Sequence, residues 1–414
     1  MMSKTIEPLS VKHNLLWNTI GCLFYLGCQW LTTILVVTLT GDYANSGLLA
    51  YAMAVGNIFA PIALYKIRAF QVSDLSGEYT SGHYLGFRLC TIVGAGLITT
   101  TYLVTSTDAF SFFLTSSIYL LFKADECLAD VLYGIEQKNR RMDYIGKSQL
   151  LRGLLSLSTF CIFLLLSNDL NYAILAMFAA CFCVTLFYDY PNVRLFGDVK
   201  PVIKKLPMLS LAKNCFSIMI ASFFTASMVS IVRQYFGSTF GDEALGIYAA
   251  IATPAVLIQA SASYLYSPTL VPITEIWKKG DHAKFVKTFS RIALALLLVI
   301  IALILVLSIG GIYLLPFVFG NSIQPYLYLL PFVLIGTGAI GLLWFINDVL
   351  IIMRSKKWLV FDSFLAFFIC LTAMIPLINS FYMNGINYAI IFACLIGIIL
   401  GLAGITTSHR PRKA

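Results

Sequence analysis

Long, continuous apolar runs separated by short polar segments leave this chain very few folds. Twelve such runs are legible, at roughly 15–40, 46–65, 86–105, 110–133, 149–167, 171–189, 212–234, 245–272, 290–315, 325–350, 358–379 and 385–406. Each is long enough for a helix to cross a bilayer. Spanning helices satisfy every backbone hydrogen bond internally, which lipid requires. An outer-membrane barrel would show apolar-polar alternation over about 10 residues instead. Of the 414 residues 59% are hydrophobic and 11% charged, whereas soluble domains carry roughly 25% charged residues. A water-soluble enzyme is excluded. The first run is too long and too rich in large residues near its end for a cleaved signal peptide.

The loops fix an orientation. With the N-terminus inside, the outside turns 41–43, 106–108, 168–170, 235–244, 316–324 and 380–385 hold no Lys or Arg. The inside segments hold Lys66, Arg68 and Arg88, then Lys138 to Arg152, Arg194 to Lys213, Lys278 to Arg291, and Arg354 to Lys357. Lys4 and Lys12 precede the first span; Arg410, Arg412 and Lys413 follow the last. Of 28 Lys and Arg only Lys123 and Arg233 fall elsewhere. The positive-inside rule then puts both termini in the cytoplasm, and a single miscounted helix would scramble the pattern. The net charge of +9 reads as loop and headgroup charge rather than nucleic-acid binding.

The longest inside connection, 190–211, lies in the middle, with Pro191, Pro201 and Pro207 among basic and apolar residues. It divides the chain into bundles 1–189 and 212–414, six spans each. Gly47 and Gly246 align at an offset of 199, with Asp42 and Asp242 just upstream of each, a weak sign of two parallel repeats. Transporters place the substrate path between such halves.

Several classes are missing their marks. There is no GxxxxGK[ST] loop for an ATP-driven pump, no large outside loop for a membrane glycosyltransferase, and no K⁺-type filter. The basic loop usual after the second span of six-plus-six sugar transporters is replaced by Tyr65 to Asp74. The ten cysteines lie in apolar runs as small hydrophobes, without a disulfide framework or CxxC pair. The four histidines are far apart, so no metal is expected. A secondary transporter or flippase remains.

Several segments resemble the bacterial polysaccharide (O-antigen type, Wzx-like) flippases of the multidrug/oligosaccharidyl-lipid/polysaccharide exporter superfamily. They are Asn14 to Gly21 with Cys28-Gln29-Trp30; Arg68 to Asp74 with Gln71; and Gly134 to Asp143, with Gly146-Lys147-Ser148 and Leu151-Arg152-Gly153. Val232-Arg233-Gln234-Tyr235, Leu245 to Ala250 and Pro272 complete the set. The resemblance covers most of the chain without one diagnostic signature. It implies an all-α protein with 12 transmembrane helices in a V-shaped pair of six-helix bundles. It also implies alternating access and outward carriage of a polyprenyl-diphosphate-linked oligosaccharide across the bacterial inner membrane. A polysaccharide polymerase and glycosyltransferases are the expected protein partners. A multidrug or small-molecule exporter of the same superfamily is the alternative.

Charges inside spans cost about 2.5–3.5 kcal/mol each on an insertion scale, so they need partners or a wet cavity. Span four carries Lys123, Asp125, Glu126 and Asp130, and the spacing places Lys123, Glu126 and Asp130 on one face. They form either an ion-pair cluster between helices or a site coupling transport to an H⁺ or Na⁺ gradient. Asp348 is a further coupling candidate; with Asn347 and Asp362 it can instead pair with Arg354 or Lys357. Arg68, Arg88 and Arg152 are either headgroup contacts or the basic mouth of a cavity that grips a diphosphate bidentately. Arg233 lies near the outside end of its span, where it either pairs with Asp242 or Glu243 or joins the cavity, the role the resemblance favours. Asn57 and Pro61, and Pro254 with Gln259, are further candidates for the cavity lining.

Overall fold

The computed structural model describes residues 8–74, 78–106 and 109–408. Lys4, Thr107, Asp108, Arg410, Arg412 and Lys413 therefore lie outside the described residues. Every apolar run of the sequence is a helix. The first six spans are α1 (Val11–Thr40), α2 (Tyr43–Leu64) continued by the short α3 (Ile67–Ser73), α4 (Ser81–Ser106), α5 (Phe110–Lys138), α6 (Met142–Ser167), and α7 (Leu170–Val184). A π-helical turn, Thr185–Asp189, and α8 (Tyr190–Arg194) extend α7. The second six are α9 (Lys205–Phe240), the pair α10 (Asp242–Ala252) and α11 (Ala255–Tyr266), then, after α12 (Leu270–Lys278), α13 (His282–Phe319), α14 (Leu330–Ile352), α15 (Lys356–Phe381) and α16 (Met383–Ser408).

Ten helices among the described residues are long and apolar enough to cross a membrane, and the α10–α11 pair, bent by 52°, makes an eleventh. The bend falls at Thr253-Pro254, where proline cannot donate its backbone hydrogen bond. The twelfth is α5, as long as its neighbours but interrupted by Lys123, Asp125, Glu126 and Asp130. The protein is a multi-pass, all-α membrane protein. Its helices run past the apolar stretches by up to eight residues at one end: α6 begins at Met142, α9 at Lys205 and α13 at His282. Hydropathy marks the lipid-soluble middle of a helix, while backbone bonding continues into the headgroup layer.

The chain forms two compact units, Met1–Met219 and Ile220–Ala414. In the first, the segment after α8 folds back on the unit itself. The Val202 amide donates to the Gly82 carbonyl at 2.9 Å, and Val193, Val199 and Leu211 are buried with Ile67, Tyr79 and Tyr84. Ile203, Leu206 and Leu209 remain exposed, in keeping with a surface at the lipid headgroups. Asp42 caps α2 by accepting from the Ala44 amide at 2.9 Å. Asp242 opens α10 and accepts from Glu243 N. Both acids sit where a helix N-terminus favours negative charge, but only Asp42 is a cap; the cap position of α10 is Gly241.

The tightest seam joins α1 to α6. The Asn14 amide donates to the Arg140 carbonyl at 2.9 Å and its oxygen accepts from Met142 N at 2.7 Å. Lys147 lies over the Trp17 ring at 5.3 Å, and Gln29 donates to Ser156. Between them the backbones touch: a Cβ at Gly21 would stand 2.6 Å from Gly146, and one at Gly146 would collide with the Trp17 carbonyl. Small residues permit such approaches in membranes. Gly146→Leu is expected to cost about 1–3 kcal/mol or more by overpacking against rigid backbone and to deplete the protein from the membrane. Gly27→Leu, with open space around it, should leave abundance unchanged on the same immunoblot.

Candidate functional site

A cavity of about 240 Å³ opens in the first unit between α1, α2, α3, α5 and α6. Its polar wall is made by Tyr25, Arg68, Lys123, Glu126, Asp130 and Gln149. Helical spacing explains the wall. Lys123, Glu126 and Asp130 follow one face of α5 at intervals of three and four, and Arg68 reaches across from α3. Gly56 of α2 leaves room for the lysine stem, since a Cβ there would lie 3.0 Å from Lys123 Cγ. Asn57 is exposed one turn before Ala60, which lines the cavity.

Each charge in this wall has a partner. Lys123 Nζ lies 2.6 Å from Glu126 Oε2, and the Tyr25 hydroxyl donates to Glu126 Oε1. Asp130 holds two arginines, Arg88 at 2.7 Å and Arg68 at 3.2 Å. Arg68 also donates to Gln137 at 3.0 Å and lies 5.7 Å from the Tyr133 ring centroid. Exposure separates these groups. The side chains of Arg68, Lys123, Glu126 and Asp130 are 21–26% exposed, whereas Arg88 is 0% exposed. Arg88 donates its other terminal nitrogen to the Ala63 carbonyl at 2.8 Å, so it braces the cavity from behind.

Arg152 touches the cavity rim but its guanidinium is committed elsewhere. It donates to Asp125 at 2.8 Å and Asp189 at 3.2 Å, and also to the Thr185 hydroxyl. Thr185 in turn donates to Asp125 at 2.5 Å. All four side chains are buried. The π-helical turn brings Thr185 and Asp189 to Arg152 and Asp125, whose three charges form an ion triad; such turns re-aim side chains that a regular helix would carry past. Below it Glu136 is fully buried, and neither carboxylate oxygen finds a hydrogen-bond partner among the described residues.

The sequence reading thus divides. Arg68, Lys123, Glu126 and Asp130 come together with Arg152 at one cavity, and Arg88 stands behind it. Arg233 and Asp348 belong to the second unit. Arg233 lies over the Tyr248 ring at 5.7 Å, and among the described residues it makes no ion pair with Asp242 or Glu243. Tyr248 donates to buried Asn387 at 2.7 Å. Asp348 accepts from Tyr266 at 2.9 Å. Asp362, expected to pair with Arg354 or Lys357, instead accepts from the backbone and hydroxyl of Ser363, because it is fully buried. Gln259 is half-buried and Pro254 buried in the second unit. Sequence reasoning did not assign roles to Tyr25, Thr185, Glu136 or Asp189. One signal was available: Asp125 and Glu136 are eleven residues apart, three helical turns along one face.

Beside the cavity, outside the spans, Asp74 organises the start of α4. It accepts from the Glu78 and Tyr79 amides and from the Tyr84 hydroxyl. Burial pushes its carboxyl up, but these donors and Lys138 outweigh burial and hold it below the usual carboxylate range. Gln71 donates to the Val131 carbonyl, and Gly134 leaves the space its amide fills.

No family model matches the chain. It is 26% identical over 294 residues to the capsular polysaccharide biosynthesis protein CapF of Staphylococcus aureus, covering 67% of this chain and 71% of that one. Among solved structures it is similar to an inward-facing multidrug resistance MATE family transporter of the MOP superfamily. That likeness has a TM-score of 0.76 at 10% identity, with 95% of this chain and 98% of that one covered. It is also similar to the lipid II flippase MurJ, with a TM-score of 0.71 at 13% identity, covering 94% of this chain and 87% of that one. The resemblance read from the sequence is borne out at the level of architecture: the chain has the twelve-helix fold of the transporters of the MOP superfamily.

Proposed function

We propose that the protein is a flippase that moves a polyprenyl-diphosphate-linked oligosaccharide from the cytoplasmic to the outer leaflet of a bacterial inner membrane, by alternating access, for surface polysaccharide assembly. The carrying observation is the cavity in the first unit, where Arg68 and Lys123 stand partly exposed beside Glu126 and Asp130. Arginine grips phosphate oxygens with its planar fork and lysine adds a point charge. At about 240 Å³ the space is below the usual 300–1,000 Å³ of ligand pockets. It suits the diphosphate, not the glycan. The relative in capsular polysaccharide biosynthesis supports the same substrate class. For the multidrug alternative a cation would have to displace Lys123 or Arg68 from Glu126 and Asp130, as a diphosphate must displace those acids from Lys123 and Arg68.

In this account no bond is broken, so the protein acts as a carrier rather than an enzyme, and both termini stay cytoplasmic. Deleting the gene should leave lipid-linked glycan on the cytoplasmic leaflet and remove the surface polymer, with both restored by the wild-type chain. Normal surface polymer in the deletion strain, with no other exporter induced, would contradict the reading.

A further inference from the structure

We propose that the segment joining α8 to α9, residues 194–213, is a docking surface for anionic phospholipid headgroups, and that those headgroups hold it against the cytoplasmic end of α4. One side of this strap is committed to the protein. The Val202 amide donates to the Gly82 carbonyl at 2.9 Å. A Cβ at Gly82 would collide with the Lys200 carbonyl, and one at Gly86 with the Val202 carbonyl. The two glycines lie four apart on one face of α4 and form a seat for the strap's backbone. The Tyr79 and Ser210 hydroxyls share a hydrogen bond at 2.8 Å, and Val199 and Leu211 are buried.

The other side faces outward. Ile203, Leu206 and Leu209 are exposed, and so are Arg194, Lys200, Lys204, Lys205 and Lys213. Among the described residues none of these five cations makes an ion pair. The one acid of the segment is Asp198, which accepts from the Lys200 amide. Apolar side chains set among uncompensated cations fit an anionic interface. The apolar groups enter the boundary between headgroups and acyl chains, and the ammonium groups meet phosphates.

Continuity with the lipid-facing side of the span selects lipid over an acidic protein. Leu206, Leu209, Lys213 and Phe216 follow one another at intervals of three, four and three, which makes one stripe of α9. All four are exposed. Phe216 lies in the apolar run of the span, so the stripe passes from hydrocarbon to the strap without a break. Lys213, between Leu209 and Phe216, reaches the phosphates by laying its stem along the helix.

The seat places this surface beside the cavity. Arg88 follows Gly86 by two residues on α4 and holds Asp130 from behind the cavity wall at 2.7 Å. Headgroups that keep the strap on its seat keep the first turns of α4 where Arg88 reaches Asp130. None of this depends on what the cavity carries.

The test uses the purified full chain in nanodiscs of phosphatidylcholine, alone or mixed with phosphatidylglycerol. Hydrogen exchange of the amides in 195–211 and 79–86 is followed by mass spectrometry. Phosphatidylglycerol should slow exchange in both stretches by about tenfold, and high salt should cancel the effect. Each lysine near an anionic surface strengthens attachment about fivefold. The double variant Lys204→Gln, Lys205→Gln removes two exposed charges without touching the seat and should lose most of the protection. Lys278→Gln with Lys279→Gln, equally exposed but outside the strap, should keep it. Equal exchange in the two bilayers overturns the proposal, as does protection by phosphatidylglycerol that survives the loss of Lys204 and Lys205. Protection seen in native membranes but in neither nanodisc would assign the surface to a protein and overturn lipid docking.

Discussion

Replacing Arg152 with methionine is expected to remove most of the folded protein from the membrane. The guanidinium is 2% exposed and is the counter-charge of Asp125 and Asp189, themselves 1% and 0% exposed. Removing it leaves two carboxylates in apolar surroundings. Breaking a buried ion pair from one side costs about 3–5 kcal/mol, a large part of an ordinary domain's stability. Replacing all three charges with well-packed apolar residues of similar volume is often neutral. The triple variant Arg152→Met, Asp125→Leu, Asp189→Leu should therefore recover much of the lost abundance. Quantitative immunoblotting of membranes, with thermal stability in detergent, reads both. Wild-type abundance of the single variant would mean that Arg152 is not needed by the triad and is free to serve the cavity.

The second large effect is expected at Arg68. Its side chain is 26% exposed, and Asp130 keeps Arg88 when Arg68 is lost. Arg68→Gln should fold normally and lose most glycan export, and Arg68→Lys should keep part of it, because charge remains while the bidentate fork is gone. Surface polymer normalised to membrane protein is the measurement. Arg233→Gln is the companion. Arg233 rests on Tyr248 rather than on an acid, so its loss breaks no ion pair among the described residues, and a fall in export would assign it to the substrate path. Full export by Arg68→Gln would remove the diphosphate from this cavity.

Much of this arrangement is written in the chain, at different depths. The spans were legible because twenty apolar residues in a row admit only one backbone solution in lipid. The charged face of α5 was legible too, as a periodicity of three and four within one helix. The i,i+3 pair of Lys123 with Glu126 follows from that spacing, but the partners of Arg68, Arg88 and Arg152 were not legible, because they lie on helices distant in sequence. Arg88 and Arg152 read either as headgroup contacts or as the basic mouth of a cavity, yet both are buried against carboxylates. The residues carrying the family resemblance turn out to face one another. Asn14, Trp17 and Gly21 meet Arg140 to Lys147 along the α1–α6 seam, and Arg233 meets Tyr248. Spacing alone cannot reveal such pairings. The π-helical turn that brings Thr185 and Asp189 to Arg152 was likewise invisible, since it arises from local backbone geometry without a composition of its own.

The central claim is outward carriage of a diphosphate-linked glycan. Its most direct measurement uses the purified chain in liposomes that carry a labelled polyprenyl-diphosphate glycan. A membrane-impermeant glycosidase added outside first removes the label already exposed, and the label that becomes accessible afterwards is followed in time. The account predicts that wild-type protein makes the inner-leaflet label accessible and that Arg68→Gln, at equal incorporation, does not. Inner-leaflet label that stays protected with the wild type, while the same liposomes move an organic cation, would contradict it.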